Sequence, residues 1–73
     1  MRSAEAIRRI LDAQGRSQRS LAIGLDVTPQ ALDQRLRSKT MKVETLCEMA
    51  SELGYRLVLE PVEESAEKIE IEG

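Results

Sequence analysis

The sequence is poor in the residues on which most enzymes and transition-metal sites depend, because it contains no histidine and one cysteine. Histidine is the side chain that most often serves as a transition-metal ligand or, near neutral pH, as a general base. Cys47 has no partner for a disulfide within the chain, and it lies in a helical apolar pattern that favours a small buried residue over a reactive thiol. The chain also contains no glycine-rich phosphate loop and no nucleophile elbow. We therefore predict that the protein is not an enzyme and that it uses no metal or other cofactor.

Aromatic residues and long apolar runs are scarce as well. The chain has one tyrosine and neither phenylalanine nor tryptophan, so its core must be built from aliphatic side chains, which suits packed helices. At 73 residues it is long enough for a single domain. No apolar run reaches the roughly 18 residues of a membrane span, and the first residues do not resemble a secretion signal. We expect a cytoplasmic protein.

The net charge of −2 conceals a division of charge along the chain. Residues 1–42 carry nine basic and four acidic side chains, a net charge of +5, whereas residues 43–73 carry two basic and nine acidic side chains, a net charge of −7. A polyanion would be attracted to the first part and repelled by the second. This asymmetry favours a nucleic acid as the partner of the N-terminal part.

Apolar spacing and helix-capping signals predict a mainly α-helical fold. Thr28 followed by Pro29 is the clearest helix start, because a capping hydroxyl precedes a proline at the first helical position. Ser3 and Ser17 are the predicted caps of two earlier helices, and Gly15 suits the left-handed position after the first. The four predicted helices cover about residues 4–14, 18–24, 29–37 and 43–53.

The C-terminal part is predicted to be a short strand followed by an acidic tail. Gly54 ends the fourth helix, and residues 55–60 are rich in β-forming residues up to Pro61. Residues 67–72 alternate in polarity, so they form either a second strand or a disordered tail. The predicted organisation is a helical domain at 1–54, a strand and candidate dimerisation element at 55–62, and an acidic tail, either disordered or containing the second strand, at 63–73.

The two helices at 18–24 and 29–37 are predicted to form a helix-turn-helix. Leu32 and Leu36 would hold the second helix against the core, which leaves a polar outer face. Glutamine can form two hydrogen bonds with adenine, and arginine can bind guanine or a phosphate. That outer face carries Gln30, Asp33, Gln34 and Arg37.

Residues 4–54, and 17–37 above all, resemble the phage repressor/Cro family, also called Xre-like regulators. The resemblance implies a compact four-helix, lambda-repressor-like domain that binds a pseudo-palindromic operator as a homodimer. It further implies base contacts from Thr28, Gln30, Asp33, Gln34 and Arg37. For Asp33 the spacing leaves an alternative, which is an ion pair with Arg37 four residues further on. Phosphate contacts are expected from Gln18 at the start of the second helix, Arg19, and Lys39, Thr40 and Lys42 in the loop after the third helix. In Cro-like members a C-terminal strand pairs across the dimer, which would give Tyr55, Leu57 and Leu59 a role at that interface.

The chain departs from the family pattern at three positions. The family usually has glycine where this chain has Asp26, a residue that tolerates left-handed backbone less well. Gly24 stands where a better helix former is usual, and Pro29 where a base-contacting polar side chain is common.

We predict a sequence-specific transcriptional regulator that acts primarily as a repressor. The alternative is an antitoxin-like or regulatory subunit that uses the same fold to bind a protein.

Overall fold

The computed structural model describes residues 2–63 and 67–72, which form a mainly helical molecule with a small antiparallel sheet. The prediction of a mainly α-helical fold is confirmed. Within the described residues the elements are, in chain order, α1 (Ser3–Gln14), α2 (Gln18–Gly24), α3 (Pro29–Arg37), α4 (Val43–Glu52), β1 (Leu57–Leu59) and β2 (Ile69–Ile71).

Two of the three predicted helix caps are confirmed. The Ser17 hydroxyl accepts a hydrogen bond from the Ser20 backbone N–H at 3.1 Å, and the Thr28 hydroxyl accepts one from the Ala31 N–H at 3.1 Å. The prediction that Ser3 caps α1 is wrong. Ser3 is already the first helical residue, the capping position falls on Arg2, and no side chain caps this end.

Three of the four helices end in the same hydrogen-bonded closure, in which a residue with positive φ follows the helix. Gly15 has φ of 65° after α1 and Gly54 has φ of 81° after α4, as glycine permits and as the sequence predicts. Behind α4, the Gly54 N–H donates to the Ser51 carbonyl at 3.0 Å and the Tyr55 N–H donates to the Ala50 carbonyl at 2.8 Å.

The turn between α2 and α3 uses the same closure with aspartate in place of glycine. Asp26 is the one described residue other than glycine with a positive φ, at 58°. Its N–H donates to the Ile23 carbonyl at 3.1 Å, and the Val27 N–H donates to the Ala22 carbonyl at 3.0 Å. Among residues with a Cβ, aspartate and asparagine tolerate this conformation best. The turn therefore redirects the chain within four residues and starts α3 at Pro29.

The core lies where the four helices meet and is entirely aliphatic or thioether. Leu21, Ala22 and Leu32 are fully buried and join α2 to α3. Partly buried side chains, among them Leu25 and Val27 on either side of the turn, pack against this cluster. The buried cluster consists of Ile7, Leu11, Leu21, Ala22, Leu32, Leu36, Met49 and Leu53. None of the described helices combines the length and the apolar composition that a bilayer crossing requires.

The predicted strand at 55–60 is shorter in the structure and has a partner in its own chain. β1 pairs antiparallel with β2, with Leu57 opposite Ile71 and Leu59 opposite Ile69. Tyr55 is excluded from the strand because its N–H closes the end of α4. Of the two possibilities for residues 67–72, the structure has the second strand. Residues 64–66 and 73, also part of the predicted tail, lie outside the described residues.

Replacing Asp26 tests whether the left-handed turn limits stability. Asp26→Val should lower the free energy of unfolding by about 1–3 kcal/mol, because a β-branched side chain is strained at positive φ. Asp26→Gly is the matched control and should leave the free energy of unfolding unchanged or raise it by up to about 1 kcal/mol. Urea denaturation followed by circular dichroism measures both. Equal stability of the two variants would contradict this account of the turn.

Candidate nucleic-acid interface

The candidate interface centres on the outer face of α3, which the capped start and the buried inner face hold in place. The Thr28 cap and Pro29 fix where the helix begins. Leu32 and Leu36, one turn apart, are 0% and 3% exposed and anchor the inner face in the core. The outer face therefore cannot rotate without removing two leucines from the core.

Gln30 and Gln34 lie one turn apart on this outer face, and both are exposed. Neither side chain takes part in a hydrogen bond with the described residues. Each amide therefore keeps its donor and acceptor groups available for a ligand, as two hydrogen bonds to an adenine edge require.

Asp33 and Arg37 are joined to each other. The Arg37 Nε lies 2.9 Å from the Asp33 Oδ2, an i to i+4 ion pair on the helix surface. Of the two interpretations of Asp33 from the sequence, pairing with Arg37 is the one this structure contains. The pair uses Nε and leaves the two outer nitrogen atoms of the guanidinium for another acceptor. Thr28 is exposed, and although its hydroxyl accepts the capping hydrogen bond, its own proton can still be donated.

The predicted phosphate-contacting residues lie in the elements that precede and follow α3 along the chain. Gln18 is half-buried and Arg19 is exposed in the first turn of α2. Lys39, Thr40 and Lys42 are all exposed in the connection between α3 and α4. In that connection the Thr40 N–H donates to the Ser38 hydroxyl at 3.2 Å, which leaves the Thr40 side chain unused by this turn.

Two basic residues near the N-terminus join this surface, and the sequence analysis missed them. Arg2 and Arg8 line the same open cleft of about 600 Å³ as Arg37 and Lys39, between the start of α1 and the end of α3. Arg8 lies in the second turn of α1, so its proximity to the end of α3 depends on helix packing. The only signal in the sequence was the general excess of basic residues before residue 43. Within the described part of the chain, Glu5 is the one acidic residue that lines this cleft.

The three predicted dimer-interface residues lie apart from this surface, around the β-sheet. Leu57 is half-buried, whereas Tyr55 and Leu59 are 50% and 57% exposed. β1 has β2 as its partner within the chain, so it is not a lone strand that requires a second copy for its pairing. A role at a dimer interface stays a prediction.

Gly24, one of the three departures from the family pattern, lies at the end of α2 beside α4. α2 continues through Gly24, and a Cβ at this position would overlap the carboxylate end of the Glu52 side chain on α4. That contact is with the far end of an exposed, flexible side chain, so a larger residue at position 24 would shift only the Glu52 carboxylate.

Breaking the Asp33–Arg37 ion pair should lower the stability of the protein only slightly. Asp33→Asn is expected to lower the free energy of unfolding by no more than about 0.5 kcal/mol, because the pair is exposed to solvent. Asp12→Asn, which removes an exposed carboxylate of α1, is the matched control. A loss well above 1 kcal/mol in urea denaturation would contradict this expectation and would mean that α3 needs the pair for its own stability.

No family model matches this chain, and no curated protein and no solved structure matches it. The interpretation of the surface therefore depends on its geometry and its charge.

Proposed function

We propose that the protein binds double-stranded DNA in a sequence-specific manner and regulates transcription. Its primary action in this proposal is repression, through occupation of an operator. In this proposal helices α1–α4 form a lambda-repressor-like domain of the phage repressor/Cro kind, and α3 enters the major groove. The observation that carries the proposal is the exposed pair Gln30 and Gln34 on a helix whose opposite side is fixed in the core.

The chemistry of the α3 face fits base edges better than a flat or apolar ligand. Gln30 and Gln34 present two donor–acceptor amides about one helical turn apart, and each suits the N6 and N7 groups of an adenine. Arg37 can reach a guanine or a phosphate through its outer guanidinium nitrogens while Asp33 holds its Nε. Asp33 would then act by positioning Arg37. A hydrogen bond from a cytosine amino group to the Asp33 carboxylate would require the Asp33–Arg37 ion pair to break.

The surrounding charges fit a phosphate backbone on both sides of the groove. Basic or hydrogen-bonding residues flank α3 in the first turn of α2, in the α3–α4 connection and in the cleft beside α1. The sheet, in contrast, is built from the acidic C-terminal part, which a polyanion repels. These charges favour one orientation on DNA, with α3 towards the duplex and the sheet away from it. They also predict affinity that falls steeply with salt.

Two copies of the protein would bind half-sites about one helical turn apart, because a symmetric dimer matches a pseudo-palindromic operator. The exposed apolar residues at the sheet, including Leu59, are the surface through which the two copies would meet.

The decisive experiment compares two kinds of contact on one duplex, chosen by selecting wild-type-bound sequences from a random library. Gln30→Ala with Gln34→Ala should weaken binding to the selected duplex by about 1–3 kcal/mol per lost two-bond contact and leave binding to an unrelated duplex little changed. Lys39→Ala should instead weaken binding to the two duplexes equally. It should also lower the number of counterions released on binding, obtained from the salt dependence of the affinity, by about one. Fluorescence anisotropy at several salt concentrations measures all three proteins.

A double glutamine variant that bound the selected duplex as tightly as wild type would contradict the proposed contacts. Failure of the wild type to bind heparin or any duplex at low salt would exclude DNA binding altogether. The exposed apolar side chains of the sheet would then favour the second candidate function, a protein-binding subunit, and one stoichiometric protein partner would be expected.

A further inference from the structure

The cleft between the start of α1 and the end of α3 collects positive charge from two parts of the fold. Arg2 and Arg8 line it on the α1 side, and Arg37 and Lys39 line it where α3 ends. Glu5 supplies the single carboxylate that the described residues contribute, so four positive charges against one negative give the lining a net charge of +3. Charges of one sign in a concave site concentrate their field on a ligand of the opposite sign.

Three of the four cations in the cleft are not neutralised by a carboxylate of the described residues. Arg37 has Asp33 as its partner, whereas none of the ion pairs in this part of the chain includes Arg2, Arg8 or Lys39. All three of these side chains are exposed. Their charges are therefore free to meet an anion without first breaking an ion pair within residues 2–63 and 67–72.

The backbone at the start of α1 adds hydrogen-bond donors to the same cleft. No side chain caps this end of the 12-residue helix. Within the described residues, the N–H groups of Ser3, Ala4 and Glu5 donate no hydrogen bond, and the Ala6 N–H is the first to do so, to the Arg2 carbonyl at 3.0 Å. The positive end of a helix reinforces the attraction that the side chains exert on an anion.

The cleft is large enough for a small molecule and is not uniformly polar. Its volume of about 600 Å³ is typical of small-molecule sites. Ser38 and Thr40 contribute hydroxyl groups to the lining, and Leu36 and Met41 contribute apolar surface. A ligand can therefore place charged groups among the cations and an uncharged part against the apolar side chains.

We propose that this cleft binds a small compound that carries two linked phosphate groups. One phosphate monoester carries a charge of about −1.5 to −2 at neutral pH, which leaves part of the +3 lining unbalanced, whereas a second linked group brings the two charges close to balance. The cations are also divided into two pairs, Arg2 with Arg8 and Arg37 with Lys39. Each pair includes a guanidinium, whose planar fork suits two phosphate oxygens.

A backbone phosphate of DNA has related chemistry but matches the cleft less well. Each backbone phosphate carries a single negative charge, and its neighbours follow in a row along the strand. One such group in the cleft would leave most of the +3 charge unbalanced. It would also leave the apolar surface of Leu36 and Met41 without a use. A compact compound of higher charge satisfies both parts of the lining.

Occupation of the cleft would oppose DNA binding, and this part of the inference rests on the proposed function. Arg37 and Lys39 belong both to the cleft and to the surface proposed to meet the duplex. A diphosphate held between the two walls would neutralise these charges and place negative charge beside α3. Binding free energies are linked, so each ligand would lower the affinity of the protein for the other by the same factor.

Titration calorimetry of the full chain with inorganic pyrophosphate and with inorganic phosphate, at constant ionic strength, tests the site without DNA. One pyrophosphate should bind per chain, about ten-fold or more tightly than phosphate, because the second group adds hydrogen bonds between charged partners. Arg8→Ala should weaken pyrophosphate binding about ten-fold. Arg9→Ala, which removes an exposed cation of the same helix outside the cleft, is the matched control and should bind as wild type does.

Circular dichroism checks that both variants keep their helices. Equal affinity for phosphate and pyrophosphate, several pyrophosphates per chain, or equal losses in the two variants would overturn the site. A wild type that binds a duplex through Arg8 but does not bind pyrophosphate would also overturn it, because the cleft would then be a contact for the DNA backbone alone.

Fluorescence anisotropy with the selected duplex tests the opposition between the two ligands. At constant ionic strength, saturating pyrophosphate should lower the duplex affinity of the wild type about ten-fold, and that of Arg8→Ala much less at the same concentration. Unchanged duplex affinity with the cleft saturated would overturn the opposition. A protein that binds pyrophosphate in the cleft but binds no duplex would support the site and reject the proposed DNA-binding function.

Discussion

The left-handed turn at Asp26 is the constraint on which the arrangement of the N-terminal domain depends. It closes α2 with two backbone hydrogen bonds and delivers the chain to the Thr28 cap only two residues later. The core then fixes the rotation of α3, because Leu32 is fully buried among α2 residues. The turn, the cap and the core together therefore fix one orientation of α3. In that orientation the polar face of α3 lies on the outside. Of the three helix closures with a positive φ, this is the one that uses a residue other than glycine. Its conformation therefore carries a small steric cost, which the surrounding structure must offset.

Charge divides the molecule along the chain. Nine of the eleven basic side chains lie in residues 1–42, in or beside α1, α2 and α3 and in the connection after α3, whereas α4 and the sheet belong to the acidic C-terminal part. Under the proposed function this division separates two tasks that would otherwise compete. The helices would meet a polyanion, and the sheet would meet another protein chain at a distance from it. A mutation at the sheet could then change self-association while leaving the contacts of a single domain with DNA intact.

Sequence patterns predicted the helices well because their boundaries are set by local chemistry. Hydroxyl caps at Ser17 and Thr28, proline at position 29 and glycine at the helix ends act within a few residues, so they can be recognised without a structure. The exposed glutamines of α3 follow from helical periodicity alone. Apart from the Ser3 cap, the errors and the choice left open at residues 67–72 arose where distant residues decide. Tyr55 left the predicted strand because it closes α4, the tail supplied the second strand through non-local pairing, and Arg8 joined the α3 surface through helix packing.

The position of the single tyrosine gives the molecule a built-in spectroscopic reporter. Tyr55 is the only aromatic residue in the chain, it lies at the junction of α4 and β1, and half of its surface is open to solvent. Ultraviolet absorbance and intrinsic emission above 270 nm therefore originate from one side chain at the base of the sheet. Quenching or a change in its emission would register an event at the C-terminal part, whereas the helix that carries the glutamines is silent in this region of the spectrum. Optical signals can thus separate the two ends of this small protein without any added label.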